Sequence, residues 1–138
     1  MNRSTRSIAV ALYLIGLPAT GLAKDAEPNY SAAYKSCMDQ SGIADPVMRA
    51  CEEDELGRQE QALNAVYSRL RSLLAPGRKA ILLKSERAWL SFRDSQCDLE
   101  ASGEEGGTLG RLEYAECMTK MTHQRVGALR QLVSEEKF

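Results

Sequence analysis

Residues 45–74, DPVMRACEEDELGRQEQALNAVYSRLRSLL, decide the fold. Asp45-Pro46 is a strong helix start, because Asp accepts the free amide hydrogens of a first turn and Pro at the first helical position has no amide to leave unpaired. Leu56, Leu63, Val66, Tyr67, Leu70 and Leu73 then recur at spacings of three, four and seven, which puts them on one apolar stripe. Gly57 weakens the middle locally, but the pattern predicts one long helix to about Leu74.

The same grammar continues on both sides. Upstream, a short helix is predicted over Tyr30 to Gln40, ended by Ser41-Gly42. Downstream, Ala75-Pro76-Gly77 makes a turn, and a second long helix runs through Ile81, Leu82, Ala88, Trp89 and Phe92 to about Ala101, where Gly103 closes it. Residues 103–107, Gly-Glu-Glu-Gly-Gly, read as the most flexible loop, and Thr108 as the cap of a last helix. That helix carries Leu112, Ala115, Met118, Thr122, Arg125, Leu129 and Leu132 at three and four spacing. No sustained period-two pattern suggests a strand. The expectation is an all-α, antiparallel bundle of about four helices.

The first segment fixes the compartment. Arg3 and Arg6 precede an apolar run from Ile8 to Leu17, then Pro18 and small residues ending in Gly21-Leu22-Ala23, as in a secretory signal cut after Ala23. The uncharged stretch from Ser7 to Ala23 falls short of the roughly 20 apolar residues of a spanning helix. No cysteine stands at the cut, so neither a stable membrane anchor nor a lipid anchor is expected. The expected organisation is a signal at 1–23, a polar lead at 24–29 and one helical domain at 30–138.

Without the signal, 16 basic residues face 19 acidic ones. A mildly acidic chain lacks the clustered Lys and Arg that nucleic-acid binding requires. Four cysteines, Cys37, Cys51, Cys97 and Cys117, form an even set in an exported chain, which reads as two disulfides rather than a zinc site. There is no C-x-x-C pair for thiol redox chemistry. At about 1.5 Å per residue, Cys37 and Cys51 lie level across the first bend, and Cys97 and Cys117 differ by roughly 4 Å across the Gly-rich loop. Short loops favour 37 with 51 and 97 with 117. The nested pairing, 37 with 117 and 51 with 97, stays open, because Cys51 and Cys97 also fall near one level.

Chemistry-bearing residues are sparse. His123 is the only histidine, and its helical neighbours Glu116, Thr119 and Lys120 make no nucleophile pair, so it reads as a helix-face residue. Glu52, Glu53, Asp54 and Glu55 point around a helix rather than converging, which predicts a solvated face near a helix start. Glu104 and Glu105 sit at a loop tip, where carboxylates can reach a partner; with Thr108 they are the candidate partner-binding residues. Trp89, Phe92 and Cys97 read as core. Arg93, four residues after Trp89, is placed to stack on an aromatic or pair with a carboxylate, and Arg125 on the apolar stripe calls for an acidic partner such as Asp94. No catalytic or metal-ligating set and no cofactor site is expected.

Cys51, Leu63-Asn64-x-x-Tyr67-x-x-Leu70, Trp89-x-x-Phe92-Arg93-Asp94-x-x-Cys97, Gly106-Gly107-Thr108, Cys117 and Thr122-x-x-Arg125-x-x-x-Leu129 occur in this order. The set resembles the lysozyme-inhibitor LprI N-terminal-domain family over about Cys37 to Leu132, with Asn64, Tyr67, Trp89, Phe92, Arg93, Asp94, Thr122 and Arg125 as motif positions. The resemblance implies a small secreted bacterial protein that binds a protein partner, lysozyme in the case that names the family, and performs no catalysis. A different class of reading is an envelope interaction module unrelated to lysozyme. A cell-wall hydrolase is the weakest, since acid and base carboxylates would have to converge from separate helices.

Overall fold

The computed structural model describes residues 28–42, 45–104 and 107–136. The expected signal at 1–23 and most of the polar lead lie outside them. Four helices follow in order: α1 (Ala32–Ser41), α2 (Asp45–Leu73), α3 (Pro76–Ala101) and α4 (Thr108–Glu135), with a single 3-10 turn at Ser102–Glu104 after α3. No strand occurs among the described residues. Ser31 caps α1, its Oγ accepting from the Tyr34 amide at 3.0 Å, and Gly42 ends it with φ of 62°, a backbone state that glycine alone adopts freely. Pro76 opens α3 in its first turn, as its missing amide permits. The cap of α4 is Gly107 rather than Thr108. Thr108 is already the first helical residue, so its side chain stands outside the cap position.

Side-chain pairings give the helix directions. Ser31–Glu55, Tyr34–Glu52 and Cys37–Cys51 run α1 antiparallel to α2. Glu86–Arg125, Arg93–Thr122 and Cys97–Cys117 do the same for α3 and α4. Thr119 donates to the Glu52 carbonyl and His123 meets Gln59, so α2 and α4, two apart in the chain, run parallel. This parallel pair forms the most extensive helix contact. Helix α3 leans on α4, and its backbone hardly approaches that of α2.

The disulfides are Cys37–Cys51 and Cys97–Cys117, with Cα atoms 5.8 and 5.5 Å apart, so the short-loop pairing holds. The main core joins Leu63, Val66, Leu70 and Leu74 to Leu82 of α3 and Val126 and Leu129 of α4. A smaller cluster of Cys97, Cys117 and Met118 surrounds the second disulfide.

One expectation about the core fails on α3: Phe92 is 57% exposed, on the same side of the helix as Ile81 at 69%. The inward stripe is Leu82, Glu86, Trp89, Arg93 and Cys97, spaced by three and four, and two of its members are charged. Helix α3 packs mainly on α4, and its inward face is the one whose charged groups find partners, Glu86 with Arg125 and Arg93 with Thr122 and Glu60. An apolar count selects a different stripe.

Candidate functional site

The acidic run at the start of α2 is not one solvated face. Glu53 and Asp54 point outward, whereas Glu52 is 2% exposed and Glu55 fully buried. Three residues apart on a helix, 52 and 55 share a face, and here that face meets the chain entering α1. Each Glu55 oxygen takes two donors: Ser31 N–H at 3.2 Å and Gln59 Nε2 at 2.7 Å on one, Ser31 Oγ at 2.6 Å and Arg58 Nε at 2.8 Å on the other. Burial pushes the Glu55 carboxyl up, but these bonds outweigh it and hold it below the ordinary carboxylate value.

Tyr34 donates its hydroxyl to Glu52 Oε1, and Tyr30 packs edge-on against both Tyr34 and His123, with ring centroids 4.9 and 5.3 Å apart. Burial, then the charges of Glu52, Glu55 and Glu116, push the Tyr30 hydroxyl up to about 12; burial and the bond to Glu52 also raise Tyr34. Both phenols are therefore neutral at physiological pH, and Tyr34 is a donor to Glu52. His123 faces Gln59 Oε1 at 3.3 Å, half-buried on its helix. The cluster is a polar latch holding α1 to α2 and α4: Glu55 is fully engaged, while Glu52 is closed off from solvent with Oε1 bonded to Tyr34 and Oε2 unpartnered.

The motif positions form a second polar assembly on the other side of α4. The Arg93 and Arg125 guanidiniums lie 5.3 and 5.5 Å from the Trp89 ring centroid. Arg93, 7% exposed, bonds Thr122 Oγ1 at 3.1 Å and Asp94 Oδ1 at 3.0 Å, with Glu60 at 3.6 Å. Arg125 pairs with Glu86 at 2.8 Å rather than with Asp94: Glu86 is buried on the inward face of α3, whereas Asp94 is exposed and pairs with Arg93. Two cations are thus neutralised beside one indole, which fixes the register of α3 on α4. Asn64 and Tyr67 stand apart from this brace. They border an open groove of about 320 Å³ with Leu83, Glu86, Arg87 and Leu90, where α2 and α3 diverge.

The residues proposed to bind a partner do not assemble into one visible site. Glu104 ends the 3-10 turn and Glu105 lies outside the described residues. Thr108 is exposed and shares a small cleft of about 140 Å³ with Pro46, Arg49 and Arg111. No group of three or more His, Cys, Asp or Glu is placed to hold a metal ion among the described residues, and no described helix is long and apolar enough to cross a membrane.

Charge is divided along the bundle, a feature that sequence reading missed because it depends on which helix halves are level. Among described side chains, the half holding the disulfides, residues 28–61 and 91–122, has eleven carboxylates against six bases. The opposite half, residues 62–90 and 123–136, has only Glu86, Glu135 and Glu136 against eight bases. The total balance near zero conceals an acidic pole and a basic pole.

The family model described as lysozyme inhibitor LprI matches residues 31–129. An uncharacterized protein of Rhizobium meliloti is 30% identical over 135 residues, covering 93% of this chain and 96% of that protein. The uncharacterized protein YecT of Escherichia coli is 28% identical over 125 residues, 78% of this chain and 77% of its own. No solved structure matches. The family match takes in both disulfides, the polar latch apart from Tyr30, and the Trp89 brace, and on that extent the chain belongs to the LprI family.

Proposed function

We propose that this chain is an exported, non-catalytic binding protein that inhibits lysozyme by covering its substrate cleft with the acidic, disulfide-braced pole. The observation that carries the reading beyond the family description is the charge division. Lysozymes are strongly basic, and a rigid surface with an excess of carboxylates steers such a partner and pays little ordering entropy on contact. The disulfides fit an oxidising compartment, which agrees with export by a cleaved signal. The carboxylates that could suggest glycosidase chemistry, Glu52 and Glu55, are buried from solvent, and Glu55 has both oxygens occupied by protein donors, which weighs against turnover.

The test is residual lysozyme activity on cell walls with increasing oxidised protein. Inhibition is expected to saturate and to weaken as salt rises. Asp39→Lys with Asp54→Lys, both exposed on the acidic half, should raise the half-inhibitory concentration about tenfold, roughly the 1.4 kcal/mol of steering and rim contact that two charge reversals remove. Arg71→Glu with Arg130→Glu on the basic half should leave it unchanged. Full lysozyme activity at high micromolar excess removes the reading and favours an envelope partner of another kind.

A further inference from the structure

Ile81, Ser85, Ala88, Phe92, Ser95 and Leu99 are all exposed and follow one another at spacings of four, three, four, three and four. That is the alternation of a coiled-coil seam, sustained for about 27 Å along the flank of α3. Singly exposed apolar residues are ordinary. Here, however, three large ones, Ile81, Phe92 and Leu99, at 69%, 57% and 67% exposure, fall on one heptad line that the chain's own core does not use.

The seam is complementary to itself in reverse. Turned about a two-fold axis at the level of residue 90, it places Ile81 opposite Leu99 of a second copy, Ser85 opposite Ser95 and Ala88 opposite Phe92, so that bulk meets space in the central layers. Lys84 and Asp98, which flank the seam on the same edge, then face each other across the axis twice. The wider charge division agrees: an antiparallel arrangement sets the basic half of each chain beside the acidic half of the other. A receiving pocket is also present. An apolar pocket of about 180 Å³ opens beside the seam between α2, α3 and α4, floored by Leu70, Leu74 and Leu82 and bordered by Ile81, Ser85 and Leu132, at the level where Leu99 of the second copy arrives.

From this geometry we infer that the chain forms a two-fold antiparallel homodimer through the outer face of α3. One helix face per copy is a small interface, so association is weak, with half-dimerisation at about 10–100 µM. The inference is independent of the lysozyme reading, since neither its residues nor its readout involve an enzyme.

Sedimentation equilibrium on the oxidised protein from about 5 to 500 µM tests it. The average mass should rise from one chain to two and stop there, as a closed interface requires. Phe92→Glu should keep the protein monomeric throughout while its helical circular dichroism and thermal midpoint stay unchanged, because Phe92 lies outside the core. Lys84→Asp or Asp98→Lys alone should weaken dimerisation about three- to tenfold, and the two together should restore it. Monomeric mass over the whole range, growth beyond two chains, or failure of the charge swap to rescue would each overturn the proposal.

Discussion

Replacing Glu55 by Gln tests whether the latch at the start of α2 contributes to stability. In the native latch each carboxylate oxygen accepts two hydrogen bonds, and Gln offers only one such oxygen. The least costly arrangement keeps the carbonyl toward Ser31 N–H and Gln59, turns the Ser31 hydroxyl round to accept, and leaves Arg58 without its partner. Arg58 is 39% exposed and rehydrates, so losing that pair costs at most about 1 kcal/mol. The remaining bonds lose their charge assistance, roughly another 1 kcal/mol in total after relaxation. Urea unfolding at pH 7 with the disulfides intact should therefore show a loss of about 2 kcal/mol, and a scan a fall in Tm of about 8 °C. The sign of the pH dependence follows from the lowered pKa. Protection by the carboxylate is complete above the unfolded value of 4.5 and is lost as pH falls through the lower folded value, so the two proteins should converge in acid. Amide exchange at Ser31 should accelerate in the variant. A stability difference under about 0.5 kcal/mol at pH 7, or a gap that widens on acidification, would refute the reasoning.

Two further measurements probe the other fastenings. Thr122→Val removes the hydroxyl that accepts from Arg93 Nη1 in a fully buried position; it should cost about 1–2 kcal/mol and shift the emission of Trp89, the only tryptophan, whereas an unchanged spectrum and midpoint would show that the brace does not depend on this bond. Cys97→Ala with Cys117→Ala opens a loop of sequence separation 20 and should lower stability by about 3 kcal/mol without loss of helix content; a far smaller change would mean that packing around Met118 and Met121 already holds the α3–α4 turn.

What could be read from the chain differs sharply between its elements. Asp45-Pro46, Ser41-Gly42 and Ala75-Pro76 act through their own backbone chemistry, and the helices begin and end within a residue or two of them. The stripe of Leu63, Val66 and Leu70 was legible because apolar side chains declare their preference for burial without reference to a neighbour. Phe92 misled because it is apolar and three residues after Trp89, although α3 turns it outward. Glu52 and Glu55 misled in the opposite sense.

The sequence by itself determined the helical class, the placement of the turns and an even set of cysteines, since each follows from local backbone preference, apolar periodicity or residue count. Only the tertiary structure decided the disulfide pairing, the burial of Glu55, Glu86 and Arg93, and the separation of charge into two poles. The physical reason is that a charged group becomes a core residue only when another helix supplies its partner at the right height. The parallel packing of α2 on α4, with α3 leaning mainly on α4, fixes those heights and leaves the outer seam of α3 uncovered.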